Sequence, residues 1–205
     1  MSRAYDSLAS LLTRARDCRV CAMQLPCGAR PVLQAGAGAR LLIVGQAPGA
    51  RVHGTGVPWS DASGERLRDW LALAPAQFYD ENRVAILPMG FCYPGRGNGG
   101  DAPPRPECAP LWHGRLLSQM PHLGLVLLLG HYAQRRYLGQ QARRESLAAR
   151  VRAVDASRPG IMALPHPSPR NQAWFVRHPW FAAEVLPVLR RRVAALWPDP
   201  ERAGG

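Results

Sequence analysis

Four short runs of apolar, β-prone residues constrain the fold of this chain more than any other feature of its sequence. They are residues 40–44, 84–88, 123–129 and 161–164. Between them lie stretches with apolar residues at helical spacing, so the pattern predicts strands that alternate with helices. This alternation is typical of a mostly parallel sheet that is covered on both faces. We therefore predict an α/β fold of three layers (α/β/α), with helices on both sides of a central four-stranded sheet.

The predicted helices have recognisable boundaries. The first opens with Ser63, a residue suited to capping, and the last contains Pro187, which we expect to kink or divide it. The last predicted helix ends at residue 197. The sequence predicts one domain over residues 1–197 and a disordered tail over residues 198–205. Helices are predicted at residues 63–73, 109–119, 132–137, 147–154 and 179–197.

The segments that follow the predicted strands carry the functional signals. Ligands of parallel sheets bind outside the carboxyl ends of the strands. Turn formers follow all four strands and are accompanied by polar or thiol groups, which predicts a binding site at this edge. The segments are residues 45–49 (Gly-Gln-Ala-Pro-Gly), 89–94 (Met-Gly-Phe-Cys-Tyr-Pro), 130–132 (Gly-His-Tyr) and 166–171 (His-Pro-Ser-Pro-Arg-Asn).

Four of the five cysteines form two pairs of unequal span. Cys18 and Cys21 have the spacing of a metal-binding pair, whereas fifteen residues separate Cys92 from Cys108. The loop between the second pair, residues 93–107, contains four prolines and four glycines. Four thiolates suit either Zn²⁺ or a [4Fe–4S] cluster, and spacing alone does not choose between them. Buried structural cysteines are the alternative, and we expect the fifth cysteine to be a bystander.

The charge of the chain points to a polyanionic partner. The formal net charge is +12, and all 26 basic residues are arginine. Without lysine, no side-chain amine can form a Schiff base, which excludes that form of covalent catalysis. The positive excess is suited to nucleic acid. No apolar run reaches the roughly 18 residues that cross a bilayer, and the first residues lack a signal-type apolar stretch, so we expect a cytoplasmic protein.

These motifs together resemble the uracil-DNA glycosylase superfamily, and most closely its iron–sulfur branch. The first motif of that branch, Gly-Glu-Ala-Pro-Gly, is matched by residues 45–49, and its Gly-x-Pro-Phe segment by residues 56–59. Its second catalytic motif begins with His-Pro, as residues 166–169 do here. The branch holds its cluster with a Cys-x2-Cys pair before the first strand and a Cys-x15-Cys pair after the second. The resemblance therefore implies a [4Fe–4S] cluster on Cys18, Cys21, Cys92 and Cys108.

The resemblance also implies roles for individual residues. A glycosylase extrudes its base into a pocket, where Trp59 would stack on the base. His166 would donate a hydrogen bond to the base as it departs. The other implied positions are Gln46 and Ala47 for catalysis, Gly45, Met89 and Gly90 for base binding, and Ser168, Arg170 and Asn171 for DNA binding.

Three positions depart from the pattern of the family. Pro88 stands where the branch carries an asparagine that reads the uracil edge. Gln46 replaces the glutamate of the first motif, and Ala47 replaces the aspartate that activates water in the best-known uracil glycosylases. We therefore expect weak uracil excision with relaxed base choice, and His53 and Asp61 are the candidates to activate water.

The sequence supports hypotheses from different classes. The leading one is a monofunctional DNA glycosylase that acts as a monomer on uracil or another deaminated base. The alternative is a nucleic-acid-binding protein of the same fold that has lost catalysis, which Pro88 and Ala47 favour. A third, a zinc-stabilised module, is distinguished by metal analysis.

Overall fold

The sheet that the sequence predicts is present and entirely parallel. A computed structural model describes residues 7–153 and 160–198. The central strands lie in the order β2-β1-β5-β6, whereas β3 and β4 pair with each other in an antiparallel hairpin. The strands are β1 (Leu41–Val44), β2 (Val84–Ile86), β3 (Arg96–Gly97), β4 (Gly100–Asp101), β5 (Leu125–Leu129) and β6 (Ile161–Leu164).

Side chains of β1 enter the core on both faces of the sheet. Leu41 and Ile43 belong to one buried apolar cluster, and Leu42 and Val44 belong to the other. A strand that is buried on both faces shows no polar alternation. This explains why the strands appear in the sequence as continuous apolar runs.

Helices complete the three layers of the predicted α/β/α fold. One face of the sheet packs against α3 (Ala62–Leu71), α8 (Leu147–Arg152) and α10 (Leu186–Ala195). The other packs against α1 (Leu8–Arg16), α5 (Cys108–Leu117) and α6 (His131–Leu138). Shorter helices are α2 (Ala50–Thr55), α4 (Pro75–Phe78), α7 (Gln141–Arg144) and α9 (Gln172–Arg177).

The two helix-boundary predictions have different outcomes. The prediction that Ser63 caps α3 is wrong, because Asp61 is the cap and its Oδ1 accepts a hydrogen bond from the Gly64 N–H at 2.9 Å. Aspartate caps a helix as well as serine does. The division at Pro187 is confirmed, since a π-helical turn, Phe181–Val185, precedes α10 and the proline stands in the first turn of α10.

The loop between Cys92 and Cys108 contains the short β3–β4 hairpin. Arg96 lies opposite Asp101 and Gly97 opposite Gly100, so a two-residue turn joins the strands. Strands of two residues leave no periodic signal in a sequence. For this reason the hairpin was not predicted.

No helix among the described residues is long and apolar enough to cross a membrane. The predicted tail, residues 198–205, lies outside the described residues except for Pro198.

Candidate active site

A broad cleft opens at the carboxyl edge of the sheet, where the strand ends predict a site. Its volume is about 540 Å³. Its walls come from the loop after β1, the segment around Trp59, the end of the β3–β4 hairpin and the loop after β6. The predicted site residues that line it are Gly45, Gln46, Ala47, Trp59, His166, Ser168, Arg170 and Asn171.

Trp59 lies beside His166 and beside residues 45–49, the loop after β1 that carries the first motif (the first-motif loop). A Cβ atom at Gly45 would lie 2.9 Å from Trp59 Cζ2, so only glycine lets the ring lie this close to the loop. The Trp59 and His166 rings are 5.4 Å apart between centroids. The cleft therefore combines an aromatic ring, a closely approaching backbone and an imidazole.

The backbone of Trp59 has an unusual conformation that its neighbours hold in place. Its φ angle is +55°, in the left-handed region that side chains other than glycine seldom adopt. Its carbonyl oxygen accepts hydrogen bonds from Arg68 Nη1 at 3.2 Å and from the Tyr79 hydroxyl at 3.4 Å. Gly64 packs so closely that a Cβ there would collide with this oxygen. Strain of this kind persists only where the surroundings enforce it, and it is concentrated at functional sites.

Hydrogen bonds fix the tautomer of His166. The Ser168 N–H donates to His166 Nδ1 at 3.2 Å, so the neutral ring carries its proton on Nε2. Burial lowers the pKa of His166 to about 4, and the Asp61 carboxylate opposes this shift only in part. The Asn171 amide holds the same loop by donating to the His166 carbonyl at 2.7 Å. At neutral pH the imidazole is therefore neutral and has one N–H to donate.

The structure does not bring Met89 and Gly90 into the lining of the cleft. Their N–H groups donate to the carbonyls of Gly45 and Gln46, at 2.9 Å and 3.0 Å. These bonds tie the end of β2 to the first-motif loop. The N–H groups of Met89 and Gly90 are therefore already used in hydrogen bonds within the protein.

A buried histidine holds the carbonyl of Pro88. His113 Nε2 lies 3.0 Å from the Pro88 oxygen, and its Nδ1 lies 2.7 Å from the Tyr137 hydroxyl. Because a carbonyl only accepts, Nε2 donates and Nδ1 accepts from tyrosine. Burial lowers the pKa of His113 to about 4 and raises that of Tyr137 to about 12.

Two carboxylates line the cleft, and only one of them was predicted from the sequence. Asp61, a candidate to activate water, is there, whereas His53 lies outside the lining. Asp101 is there as well, on the β3–β4 hairpin, and no sequence signal indicated it. The Gln46 Nε2 donates to the carbonyl of Ala102 at 3.1 Å, which joins the hairpin to the first motif.

Residues 34–190 match the family model of the uracil DNA glycosylase superfamily. The match covers the four central strands, the first-motif loop, Trp59 and His166. The chain belongs to this superfamily. Proteins of the uracil DNA glycosylase superfamily are generally DNA glycosylases. The matched region begins after Cys18 and Cys21, and the first cysteine pair therefore lies outside it.

This member of the uracil DNA glycosylase superfamily has a second, much smaller cavity beside the first. The segment after β2 contributes to both, since Pro88 lines the cleft and Gly90, Phe91 and Cys92 line the cavity. The cavity has a volume of about 20 Å³, which is room for about one water molecule. The four cysteines that line it are Cys18, Cys21, Cys92 and Cys108.

The cysteine cavity is apolar but contains unused N–H donors. Arg105 Nε and Trp112 Nε1 are buried and lack a hydrogen-bond partner among the described residues. The Phe91 N–H already lies 3.3 Å from Cys108 Sγ. Burial raises the pKa of Cys92 to about 11 and that of Cys108 to about 12, so both are neutral thiols unless a metal takes their protons.

The thiols surround the cavity without converging on one point. No group of three or more His, Cys, Asp or Glu side chains in the described ranges is arranged to hold a metal ion. Cys27 is exposed and does not line the cavity. The structure thus brings the four predicted ligands together around one space and leaves Cys27 aside.

Proposed function

We propose that the chain is a monofunctional DNA glycosylase that hydrolyses the N-glycosidic bond of uracil or another deaminated base. One observation carries this proposal. His166 is held as the Nε2–H tautomer, and the neighbouring Trp59 ring, 5.4 Å away between centroids, lies against the first-motif loop in the same cleft. An aromatic surface and a fixed donor are what an extruded base and its developing negative charge require.

The reaction begins when the base leaves the nucleic acid and enters the cleft. The Trp59 ring would stack on the base, and the hydrogen bonds from Arg68 and Tyr79 to its carbonyl would hold the backbone that carries the ring. Glycine at position 45 lets the ring lie against the first-motif loop, so a base stacked on the ring would lie alongside that loop. The binding energy thereby offsets the cost of unstacking, which is a few kcal/mol.

His166 would stabilise the leaving group. As the bond between C1′ and the base nitrogen breaks, its electron pair moves into the base, and a carbonyl oxygen of the base gains negative charge. The Nε2–H would donate to this oxygen. Because the pKa of His166 is about 4, the ring acts as a neutral donor and does not need to be protonated first.

Water would then add to C1′ of the oxocarbenium-like sugar and lose its proton to leave an abasic site. Asp61 is the carboxylate whose charge acts on His166, since it opposes the lowering of the pKa of that ring by burial. Its Oδ1 caps α3, which leaves Oδ2 to accept a proton. With no lysine in the chain, the abasic strand would stay intact.

The loop after β6 is suited to the phosphate backbone. Arg170 and Asn171 line the cleft beside Ser168, whose side chain caps the turn that contains them. Together with the net charge of +12, this arrangement supports DNA as the partner. Binding should therefore weaken steeply with salt, because arginine–phosphate contacts release counterions.

We also propose that the four cysteines hold a [4Fe–4S] cluster in place of zinc. The space between them has a volume of about 20 Å³, so the segments that carry the cysteines would have to move apart to admit the cluster. Four ligands of one zinc ion must converge to about 2.3 Å from it, whereas a cluster binds each thiolate at a separate iron. The four thiols line one space without converging, and the buried N–H groups of Arg105 and Trp112 could donate to cluster sulfur. The cluster would tie the first cysteine pair to the loop that carries the hairpin, which is a structural role.

Release of free base from defined oligonucleotides tests the glycosylase proposal. Single-stranded and duplex DNA carrying uracil, hypoxanthine or xanthine would be incubated with the protein, and products measured by mass spectrometry. We expect free base and a strand that breaks only after alkali. Strand cleavage under neutral conditions would contradict monofunctional hydrolysis, and absence of free base from every substrate would contradict the enzyme.

A nucleic-acid-binding protein without catalysis is the second candidate. Ala47 and Pro88 favour it, because both line the cleft and neither offers a polar side chain. Salt-sensitive DNA binding without release of any base would support it.

A further inference from the structure

The end of β2 offers nothing polar with which to recognise a base. The Pro88 carbonyl accepts from His113, and the N–H groups of Met89 and Gly90 donate to the first-motif loop. Proline itself has no N–H. Recognition of the base edge must therefore come from another wall of the cleft.

The β3–β4 hairpin supplies such a wall. A Cβ atom at Gly49 would lie 3.6 Å from Asp101 Oδ2, so the carboxylate stands beside the last residue of the first motif. Gln46 Nε2 donates to the carbonyl of Ala102, the residue after Asp101. One residue before Asp101, a Cβ at Gly100 would lie 2.7 Å from the Arg170 guanidinium. The hairpin is thus fixed between the two motif loops.

The two carboxylates of the cleft face different neighbours. The charge of Asp61 influences His166, and one oxygen of Asp61 is used to cap α3. The Asp101 carboxylate adjoins Gly49, and no hydrogen bond or ion pair to this carboxylate is found among the described residues. Asp61 therefore belongs to the reacting end of the cleft, and Asp101 to the end that the distal edge of a bound base would reach.

We propose that Asp101 and Gln46 together read the base, and that they recognise the carbonyl and ring N–H that deamination creates. This inference rests on the proposed glycosylase function. A carboxylate only accepts hydrogen bonds, so Asp101 would accept from the ring N–H. The second Nε2 hydrogen of Gln46, which is not used by Ala102, would donate to the adjacent carbonyl.

The pair discriminates by chemistry that several bases share. Uracil and hypoxanthine both present a carbonyl beside a ring N–H. Cytosine and adenine present the reverse, an amino group beside a ring nitrogen that accepts. With cytosine or adenine in the cleft, the Gln46 donor would face an amino group, and the Asp101 carboxylate would face the lone pair of a ring nitrogen. The site would therefore accept deaminated bases as a class and reject their parents.

A modified base tests the role of Asp101. In 3-methyluracil a methyl group replaces the ring N–H, so rates of release of uracil and 3-methyluracil would be measured for the wild type, Asp101→Ala and Asp101→Asn. The wild type should release uracil about 10- to 100-fold faster than 3-methyluracil, the effect of one hydrogen bond to a charged group. In Asp101→Ala the two rates should converge, because the acceptor is gone and the methyl group has space.

Further comparisons make the outcome decisive. Asp101→Asn keeps the shape but adds a donor, so it should narrow the preference for uracil over cytosine. Asn98→Ser, an exposed change in the turn of the same hairpin, should keep both wild-type ratios. An unchanged ratio of uracil to 3-methyluracil release in Asp101→Ala would overturn the inference while leaving the glycosylase intact. A wild type that releases no base from any substrate would refute the proposed function, and this inference with it.

Discussion

The cleft and the cysteine cavity adjoin the same segment after β2, yet they are built in different ways. The cleft is wide and gathers polar groups from the ends of β1 and β6, with His166 as its central donor. The cavity is small, apolar and walled by residues from Cys18 to Trp112. The first has room for a nucleobase, and the second has thiols and little else. The difference supports the proposal that the cleft performs the chemistry and that the cysteines hold the loop beside it.

Removing the central groups of the cleft should have the largest effect. In His166→Ala the departing base loses its donor, and in Trp59→Ala the extruded base loses its stacking surface. Each change should lower the single-turnover rate of base release on the order of 1,000-fold. A matched change outside the cleft, His178→Ala, should leave the rate near that of the wild type. Comparable losses in all three variants would show that the cleft has no special role.

Changes in the cysteine cavity should remove the metal and destabilise the fold. Protein purified without oxygen should be brown and contain about four iron and four sulfide per chain. Cys108→Ser should lose most of the iron and unfold at a lower temperature, because the tie between the cysteine segments is gone. Cys27→Ser makes the same chemical change at an exposed position and should retain both properties. Stoichiometric zinc without iron in the wild type would contradict the cluster.

The support beneath Trp59 should matter less than the ring itself. Arg68→Met keeps a long side chain but removes the donor to the Trp59 carbonyl, and Tyr79→Phe removes the second donor. Once freed, the backbone can relax from its φ of +55°, and a displaced ring should slow base release about 10- to 100-fold. Rates for the double variant would show whether both donors act on one carbonyl. A rate equal to the wild type in the double variant would mean that the strained conformation has no function.

Stability at low pH should report the buried His113. Its pKa is about 4 in the folded protein and about 6.5 when the chain is unfolded. Between these values the unfolded chain binds more protons, so the free energy of unfolding falls as pH decreases from 6.5 to 4, by about 3 kcal/mol. His113→Gln can still donate to the Pro88 carbonyl and should lose this part of the pH dependence. Urea unfolding at several pH values measures both slopes, and parallel slopes would contradict the assignment.

The sequence was sufficient for the sheet and for one end of the cleft. Continuous apolar runs such as Leu41–Val44 indicated buried parallel strands, and the residues after them carried Gln46 and His166 to the predicted edge. These predictions depend on local patterns that a sequence displays directly. The alternation of strands and helices then placed the ends of the strands together.

The remainder of the site depends on contacts that are distant in the chain. Asp101 reaches the cleft on a hairpin of two-residue strands, and Arg68 acts on the carbonyl of a residue nine positions away. The left-handed conformation of Trp59 could not be predicted from its residue type, because tryptophan seldom adopts that conformation. The prediction that Ser63 caps α3 was wrong for a simpler reason, because Asp61, two residues earlier, is an equally good cap.

The location of the extruded base in a complex decides whether the cleft is the active site. A crystal structure of His166→Ala bound to DNA containing uracil should trap the base before release, since the variant can bind but reacts slowly. We expect uracil to lie in the cleft, stacked on Trp59 and alongside the first-motif loop. Uracil that remains stacked within the DNA, or DNA bound across another face of the protein, would contradict it.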